Sequence, residues 1–192
     1  MKLIATHDSA TGEKPLWYCW PLLPFAKTQS KTIAEQLVAG CHMFDIRIRR
    51  HRGTYRLAHG GYILKPYPSE ILQMLNDCPF IVYVTITYEG FLKPERRDDF
   101  MSYVWYLKDR FSNLRFGTIA VKKGKGSTLI KTKYEVLEEP ENNWTLCPQT
   151  SQFVKLDGSN WSWLLPIPWL WKKLAHNKPD FKENVWTYVD FL

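Results

Sequence analysis

The pattern of hydrophobic and polar positions predicts an alternation of strands and helices along the chain. Alternating or continuous apolar runs typical of strands occur at residues 2–6, 41–50, 55–59, 80–88, 116–121, 128–133 and 185–192. Apolar residues at helical spacing predict helices at residues 30–39, 69–76 and 94–111, with Ser30 or Thr32, and then Ser69, as N-caps. This order is typical of an α/β protein with a parallel sheet. We therefore expect a TIM-barrel-like (β/α) barrel, compact or with reduced helices, because a full barrel usually needs about 250 residues.

The second predicted strand carries charge on one face. From Phe44 onward its residues alternate, and the period of two places Asp45, Arg47 and Arg49 on the same side. Active sites of α/β barrels lie at the C-terminal ends of the strands. The side chains that the prediction brings to this rim are His7, Asp8, Asp45, Arg47, His59, Glu89 and Asp190.

Composition indicates one folded domain over residues 1–192, since 45% of the residues are hydrophobic and 23% are charged. The net charge of +7 favours a phosphate-bearing partner, which leaves nucleic acid, an anionic membrane surface or a phosphorylated substrate, unless the basic surface serves only solubility. Nucleic acid is disfavoured, because the basic run at residues 47–52 lies on a strand whose neighbours face opposite ways. The oligomeric state is left open.

The four cysteines form no CxxC pair, so a zinc site of the usual spacing is not supported, and reduced thiols are expected rather than two disulfides. No apolar run reaches the length of a membrane span. His7 and Asp8 interrupt the apolar N-terminus, which is unlike a signal peptide. The expectation is a protein that stays in the cell, or is exported by another route, and is peripheral to a membrane.

Three motifs occur in a specific order. They are Thr6-His7-Asp8-Ser9, Phe44-Asp45-Ile46-Arg47 and Ala58-His59-Gly60. Together they resemble the catalytic half of the phosphatidylinositol-specific phospholipase C family, over roughly the first 90 residues, and residues 188–191 resemble the closing strand of that family. The resemblance is weak between residues 90 and 184.

The resemblance implies a mechanism of general acid–base catalysis, for which imidazole is suited by its near-neutral pKa. It implies that His7 is the base and His59 the acid, with Asp8 beside His59 and Asp190 beside His7. Arg47 matches the residue that holds the phosphate. The implied reaction is that of a phosphoric diester hydrolase or lyase, which cleaves a phospholipid headgroup through a cyclic phosphate.

Arg47 stands where calcium-dependent relatives carry a metal-binding carboxylate, so the chain resembles the bacterial, metal-independent type and no cofactor is expected. A Ca²⁺ site using Asp45 and Glu89 is the disfavoured alternative, since this cation needs several oxygen ligands together. Bacterial relatives also offer a lysine to the inositol ring after the fourth strand, and this chain lacks it. The candidates for substrate binding are Glu89, Lys122 and Lys123.

Two aromatic segments, residues 16–25 and 161–173, suit a membrane interface, where tryptophan rings lie at headgroup depth. Their candidate contact residues are Trp17, Trp20, Trp161, Trp163, Trp169 and Trp171. The alternatives are packing in the core or binding of a partner protein. The competing hypotheses for the whole chain are a non-catalytic module that binds a headgroup or a membrane, and a metal-dependent diesterase, which would need a carboxylate in place of Arg47.

Overall fold

The computed structural model describes residues 3–90, 92–123, 133–138 and 186–189. Its strands are β1 (Leu3–Thr6), β2 (Cys41–His51), β3 (Thr54–His59), β4 (Tyr62–Ile63), β5 (Val82–Tyr88), β6 (Leu114–Lys123), β7 (Lys133–Glu138) and β8 (Trp186–Val189). The α-helices are α1 (Leu23–Ala26), α2 (Ile33–Val38), α3 (Pro68–Asn76) and α4 (Arg97–Arg110). Short 3-10 helices occupy Ser9–Gly12, Trp17–Leu22 and Pro94–Arg96. None of these helices has the length and apolar character needed to cross a membrane.

The mixed α/β architecture is confirmed, but the sheet is not wholly parallel. Five strands run parallel to one another in the order β8, β1, β2, β5 and β6. The other three pairings are antiparallel and join β2 to β3, β3 to β4, and β6 to β7. Within the described ranges β7 ends one side of the sheet, and no pairing closes it into a barrel. The expectation of a parallel barrel is corrected to an open mixed sheet over this part of the chain.

The hairpin between β2 and β3 explains the first antiparallel pair. Arg52 and Gly53 both have positive φ, at 48° and 83°. Two such residues in succession match the two-residue turns that join antiparallel strands. The pair Arg52-Gly53 between two predicted strands is itself a sequence signal for a hairpin-like turn. The consequence of the turn is that His59 returns beside β2, near the level of Arg47.

The two faces of the central strands differ as the period of two predicts. Phe44, Ile46 and Ile48 of β2 belong to the apolar core, into which α4 buries Phe100, Val104, Leu107 and the adjoining Phe111, the helical face expected from the sequence. The opposite face of β2 carries Asp45 and Arg47, which are also buried. The sheet therefore separates a hydrophobic core from a buried polar layer.

The structure tests the predicted N-caps of α2 and α3. Thr32 caps α2, because its hydroxyl accepts the N–H of Glu35 at 3.3 Å while the carboxylate of Glu35 accepts the N–H of Thr32 at 2.7 Å. The prediction of Ser69 for α3 is wrong. Pro68 is already helical and Tyr67 is the cap residue, since proline is favoured in the first helical position.

The cysteines within the described ranges, Cys19, Cys41 and Cys78, are free thiols, and Cys147 lies outside them.

Candidate active site

The turn after β1 presents the first two candidate residues. Asp8 adopts the left-handed conformation, with φ 47° and ψ 45°, which is uncommon outside glycine and often marks a functional position. The hydroxyl of Ser9 donates to the carbonyl of Thr6 at 2.8 Å and accepts the N–H of Asp45 at 2.8 Å. Ser9 thus fixes the His7–Asp8 turn against the polar face of β2.

Asp8 lies between the two candidate histidines. Its buried Oδ2 atom is 3.5 Å from Nδ1 of His7 and 3.4 Å from Nε2 of His59. Its other oxygen contacts Nε of Arg47. The structure therefore brings together residues that are 52 positions apart in the chain, and it places Asp8 against His59 as the resemblance implies.

Arg47 connects the remaining groups. Its Nε donates to Oδ2 of Asp45 at 3.1 Å, and its Nη1 donates to Oε2 of Glu89 at 3.2 Å. Its Nη2 lies 2.6 Å from Nε2 of His7. Buried carboxylates are costly unless paired, and one guanidinium here contacts three of them, those of Asp8, Asp45 and Glu89.

The contacts define which ring nitrogens carry hydrogen. A guanidinium only donates, so Nε2 of His7 accepts from Arg47, and the hydrogen of the neutral ring is on Nδ1, facing Asp8. A carbonyl only accepts, so Nδ1 of His59 donates to the carbonyl of Ala26 at 2.8 Å. Nε2, the other ring nitrogen of His59, lies 3.4 Å from Oδ2 of Asp8.

The histidines are open to solvent and the groups that orient them are not. The side chains of His7 and His59 are 21% and 25% exposed, whereas those of Asp8 and Glu89 are 1% exposed. Two imidazoles and one guanidinium at the surface of a buried carboxylate cluster can accept a proton, donate a proton and stabilise an anion.

His7, Asp8 and Asp45 also offer ligand atoms within 4.8 Å of one another, a spacing that could hold a metal ion. Ca²⁺ usually takes 6–8 oxygen ligands. Here the guanidinium of Arg47 already contacts both aspartates, so its positive charge occupies the position that a cation would need.

The other predicted residues divide into three groups. The described contacts of Glu89 are with protein groups, so its role in substrate binding stays a prediction. Lys122 and Lys123 lie at the end of β6, where the backbone pairs with β7, and their side chains are outside the described set. Asp190 and the predicted tryptophans of the second aromatic segment, Trp161, Trp163, Trp169 and Trp171, also lie outside the described residues.

The first aromatic segment lies beside the candidate site. Trp17 and Trp20 are 81% and 65% exposed, so packing in the core is wrong for these two rings. Tyr18 anchors the segment, because its hydroxyl contacts Nε2 of His51 at 2.7 Å. Partial burial and the neighbouring guanidinium groups, that of Arg52 foremost, lower the pKa of His51 and favour the neutral ring that can accept from Tyr18.

Comparisons with known proteins give matches among solved structures only. No family model and no curated protein matches the chain. Among solved structures, the fold is similar to a phosphatidylinositol-specific phospholipase C from Listeria monocytogenes, with 16% identity and a TM-score of 0.46 over 71% of this chain and 56% of that one. It is also similar to two structures of the Staphylococcus aureus enzyme. One has 22% identity and a TM-score of 0.43 over 74% of this chain and 53% of that one. The other, a variant, has 15% identity and a TM-score of 0.46 over 98% and 85%.

The chain spans about half the length of the first two of these structures. At such low identities and TM-scores, the functional argument rests on the site itself.

Sequence reasoning missed two groups that orient the histidines. The carbonyl of Ala26 binds His59, and the side-chain amide of the buried Gln29 donates to the carbonyl of His7 at 2.9 Å. A backbone carbonyl leaves no signal in residue identity. Gln29 stands among other polar residues at positions 27–32, so nothing in the sequence distinguishes it from an ordinary loop residue.

Proposed function

We propose that this protein is a phosphodiesterase that cleaves the headgroup from a phospholipid of the phosphatidylinositol type. The observation that supports it best is the placement of two solvent-accessible imidazoles, His7 and His59, on one buried carboxylate, with Arg47 against the first ring. A diester cleavage needs a proton acceptor, a proton donor and a fixed positive charge, and this cluster supplies all three.

In the proposed reaction, a hydroxyl of the headgroup attacks the neighbouring phosphorus. Nε2 of His7 takes the proton of that hydroxyl as the new phosphorus–oxygen bond forms. The bond from phosphorus to the diacylglycerol oxygen breaks, and His59 gives its proton to that oxygen. The products are diacylglycerol and a cyclic phosphate diester of the headgroup, and one proton has moved from His59 to the lipid and one from the headgroup to His7.

The hydrogen-bond pattern supports these opposite roles. His7 needs a lone pair on Nε2, which is the atom that accepts from Arg47. His59 needs a proton to give to the leaving oxygen, and its ring is held for this role by the carbonyl of Ala26 at Nδ1 and by Asp8, 3.4 Å from Nε2. In the proposed complex the attacking hydroxyl takes the lone pair of Nε2 of His7, and Nη2 of Arg47 donates to the neighbouring phosphate, where it stabilises the growing negative charge.

We extend the proposal to independence from metal ions, because Arg47 contacts two of the three residues that could form a cation site. Asp190 remains the proposed second partner of His7 on the sequence resemblance alone, and Lys122 and Lys123 remain the proposed contacts of the headgroup.

The exposed rings of Trp17 and Trp20 support a peripheral membrane location. They precede Ala26 by nine and six residues, and the carbonyl of Ala26 binds His59. A segment that inserts aromatic rings at headgroup depth would therefore bring the candidate acid to the lipid surface.

A headgroup-release assay tests the function. Vesicles that contain one radiolabelled phospholipid each, covering inositol, choline, ethanolamine and glycerol headgroups, are incubated with the protein with and without EDTA. We expect release from phosphatidylinositol that EDTA does not reduce. Binding to vesicles without release from any lipid would favour the non-catalytic module, and loss of release in EDTA with recovery in Ca²⁺ would contradict the metal-independent mechanism.

A further inference from the structure

Glu89 follows β5 directly, and its backbone is fixed to the neighbouring strand. Its N–H donates to the carbonyl of Ile48 in β2 at 2.7 Å. Gly90, the next residue, has φ 110°, a conformation that favours glycine, and a Cβ built there would lie 3.8 Å from the guanidinium of Arg49. The chain thus turns away immediately after Glu89, while the Glu89 side chain stays within the polar layer.

The two carboxylate oxygens of Glu89 contact two different parts of the site. Oε2 accepts from Nη1 of Arg47 at 3.2 Å, and Oε1 accepts from the N–H of Gly60 at 3.2 Å. Gly60 directly follows His59 and has φ 59°. One carboxylate therefore connects the phosphate-binding candidate with the turn that carries the candidate acid.

A second interaction holds the same turn from its other side. The carbonyl of Gly60 accepts from Nη1 of Arg49 at 2.7 Å. The Gly60 peptide groups are thus held by Arg49 of β2 and by Glu89, the residue after β5. This arrangement fixes the backbone of the turn while the His59 ring is fixed by Ala26 and Asp8.

The position of Glu89 argues against direct contact with the reacting phosphate. Its side chain is 1% exposed, and a carboxylate facing a phosphodiester would repel it. Buried carboxylates are stable when their oxygens are paired, and both oxygens of Glu89 have partners within the protein.

We propose that Glu89 is a positioning residue, which aligns Arg47 and the His59–Gly60 turn with each other and does not itself touch the substrate. The expected loss of kcat on substitution of Glu89 rests on the proposed function. The expected loss of alignment between Arg47 and the His59–Gly60 turn does not depend on it. If the carboxylate is replaced by an amide, Arg47 loses a charged partner and the Gly60 N–H keeps an acceptor, so the two effects can be separated.

The kinetic experiment is a double-mutant cycle with Glu89→Gln and Arg47→Lys, measured as kcat and KM on a water-soluble inositol phosphodiester. Each single variant should lower kcat by roughly tenfold to hundredfold, with little change in KM for Glu89→Gln. The double variant should be about as active as Arg47→Lys alone, because Glu89 acts through Arg47. Multiplying losses, or a raised KM with unchanged kcat, would overturn the proposal and favour direct substrate contact.

A structural experiment keeps the proposal testable if the diesterase activity is absent. Side-chain NMR signals of Arg47, His7 and His59 are compared between wild type and Glu89→Gln. The matched control is Glu70→Gln, which makes the same change where Oε2 of Glu70 accepts the N–H of Tyr67 at 2.6 Å on α3. We expect shifted Arg47 and histidine signals in Glu89→Gln only. Unchanged signals in a folded Glu89→Gln protein would overturn the positioning role, whatever the activity of the wild type.

Discussion

Two neighbouring regions of the molecule depart from the usual distribution of residues in opposite ways. The cluster around Arg47 buries charged side chains, whereas the aromatic segment at residues 17–22 exposes large apolar ones. Each is costly unless something compensates. The cluster is compensated within the protein by ion pairs, but the described structure shows no comparable cover for Trp17 and Trp20.

The difference teaches that the charges of the cluster are compensated within the described structure, whereas the exposed rings are the surface for which we propose a membrane as partner. A site that performs chemistry needs fixed, desolvated groups, and a surface that meets a membrane needs apolar rings that are free to insert. The hydrogen bond from His59 to Ala26 joins the two regions. Departures from the ordinary rules are expected where function requires them.

The largest effect is expected from removal of either imidazole. His7→Ala and His59→Ala should each lower diesterase turnover by roughly a hundredfold to ten-thousandfold, the usual contribution of a general acid or base. The measurement is kcat on a soluble inositol phosphodiester. His42→Ala, near the start of β2 and in contact with Phe80, is the control and should retain activity. Near-normal turnover in either site variant would show that the cluster is not catalytic.

A somewhat smaller loss is expected from Asp8→Asn. Asparagine tolerates the left-handed conformation of residue 8, so the fold should be kept while both histidines lose their shared negative charge. We expect kcat to fall by roughly a hundredfold, because the carboxylate that contacts both imidazoles no longer carries a charge. Asp77→Asn, on the surface at the end of α3, is the matched control, and equal losses in both would contradict the shared-carboxylate account.

Substitutions in the aromatic segment should affect vesicle binding and not turnover of a soluble substrate. Trp17→Ala and Trp20→Ala should each weaken binding to anionic vesicles by roughly tenfold, equivalent to about 1.4 kcal/mol, and leave kcat on a soluble substrate unchanged. Vesicle sedimentation gives the first quantity. The control is Trp105→Ala, a similarly exposed ring on α4. If Trp105→Ala weakens vesicle binding equally, the segment is not a specific membrane contact.

The smallest effect concerns the partly buried carboxylate of Glu13. Burial raises the pKa of Glu13, against the opposing hydrogen bond from the N–H of Ile33. The folded protein holds the proton of Glu13 more tightly than the unfolded chain does. Protonated Glu13 therefore contributes to the free energy of unfolding at low pH, and this contribution is lost as the pH rises through the pKa of Glu13 in the folded protein. Relative to wild type, Glu13→Gln should gain thermal stability between about pH 4 and pH 7, a range that spans ordinary and raised glutamate pKa values.

Glu35 provides the control of opposite sign. Hydrogen bonds from the backbone and side chain of Thr32 lower the pKa of this exposed carboxyl group, so its contribution is present at neutral pH and lost on acidification. Glu35→Gln should therefore lose stability relative to wild type as the pH rises toward the ordinary glutamate pKa, and change little above it. Parallel pH dependence of the two variants, measured as melting temperatures, would contradict the role of burial.

The sequence predicted those parts of the site that depend on strand periodicity. Asp45 and Arg47 share a face because strands have a period of two, and His59 returns beside them because Arg52 and Gly53 form a hairpin turn. The α4 core face followed in the same way from helical spacing. Local patterns of this kind survive folding because one buried face fixes the register.

Other features depend on contacts that no local pattern encodes. The direction in which β7 pairs with β6 is one such feature, and the lack of a closing pair among the described strands is another. The carbonyl of Ala26 and the sharing of Asp8 by two histidines arise from the approach of distant segments. Motif matching assigned Asp8 to one ring only, since a motif names residues without giving the distances between them.

The central claim is that His7 and His59 act together in an intramolecular attack on a phosphodiester. Its most direct test is a time course of products from phosphatidylinositol vesicles, followed by ³¹P NMR in the presence of EDTA. The account predicts that the first phosphorus product is a cyclic phosphate diester, formed by wild type and almost absent with His7→Ala. An open-chain phosphate monoester as the first product, or no product while vesicles are bound, would contradict it.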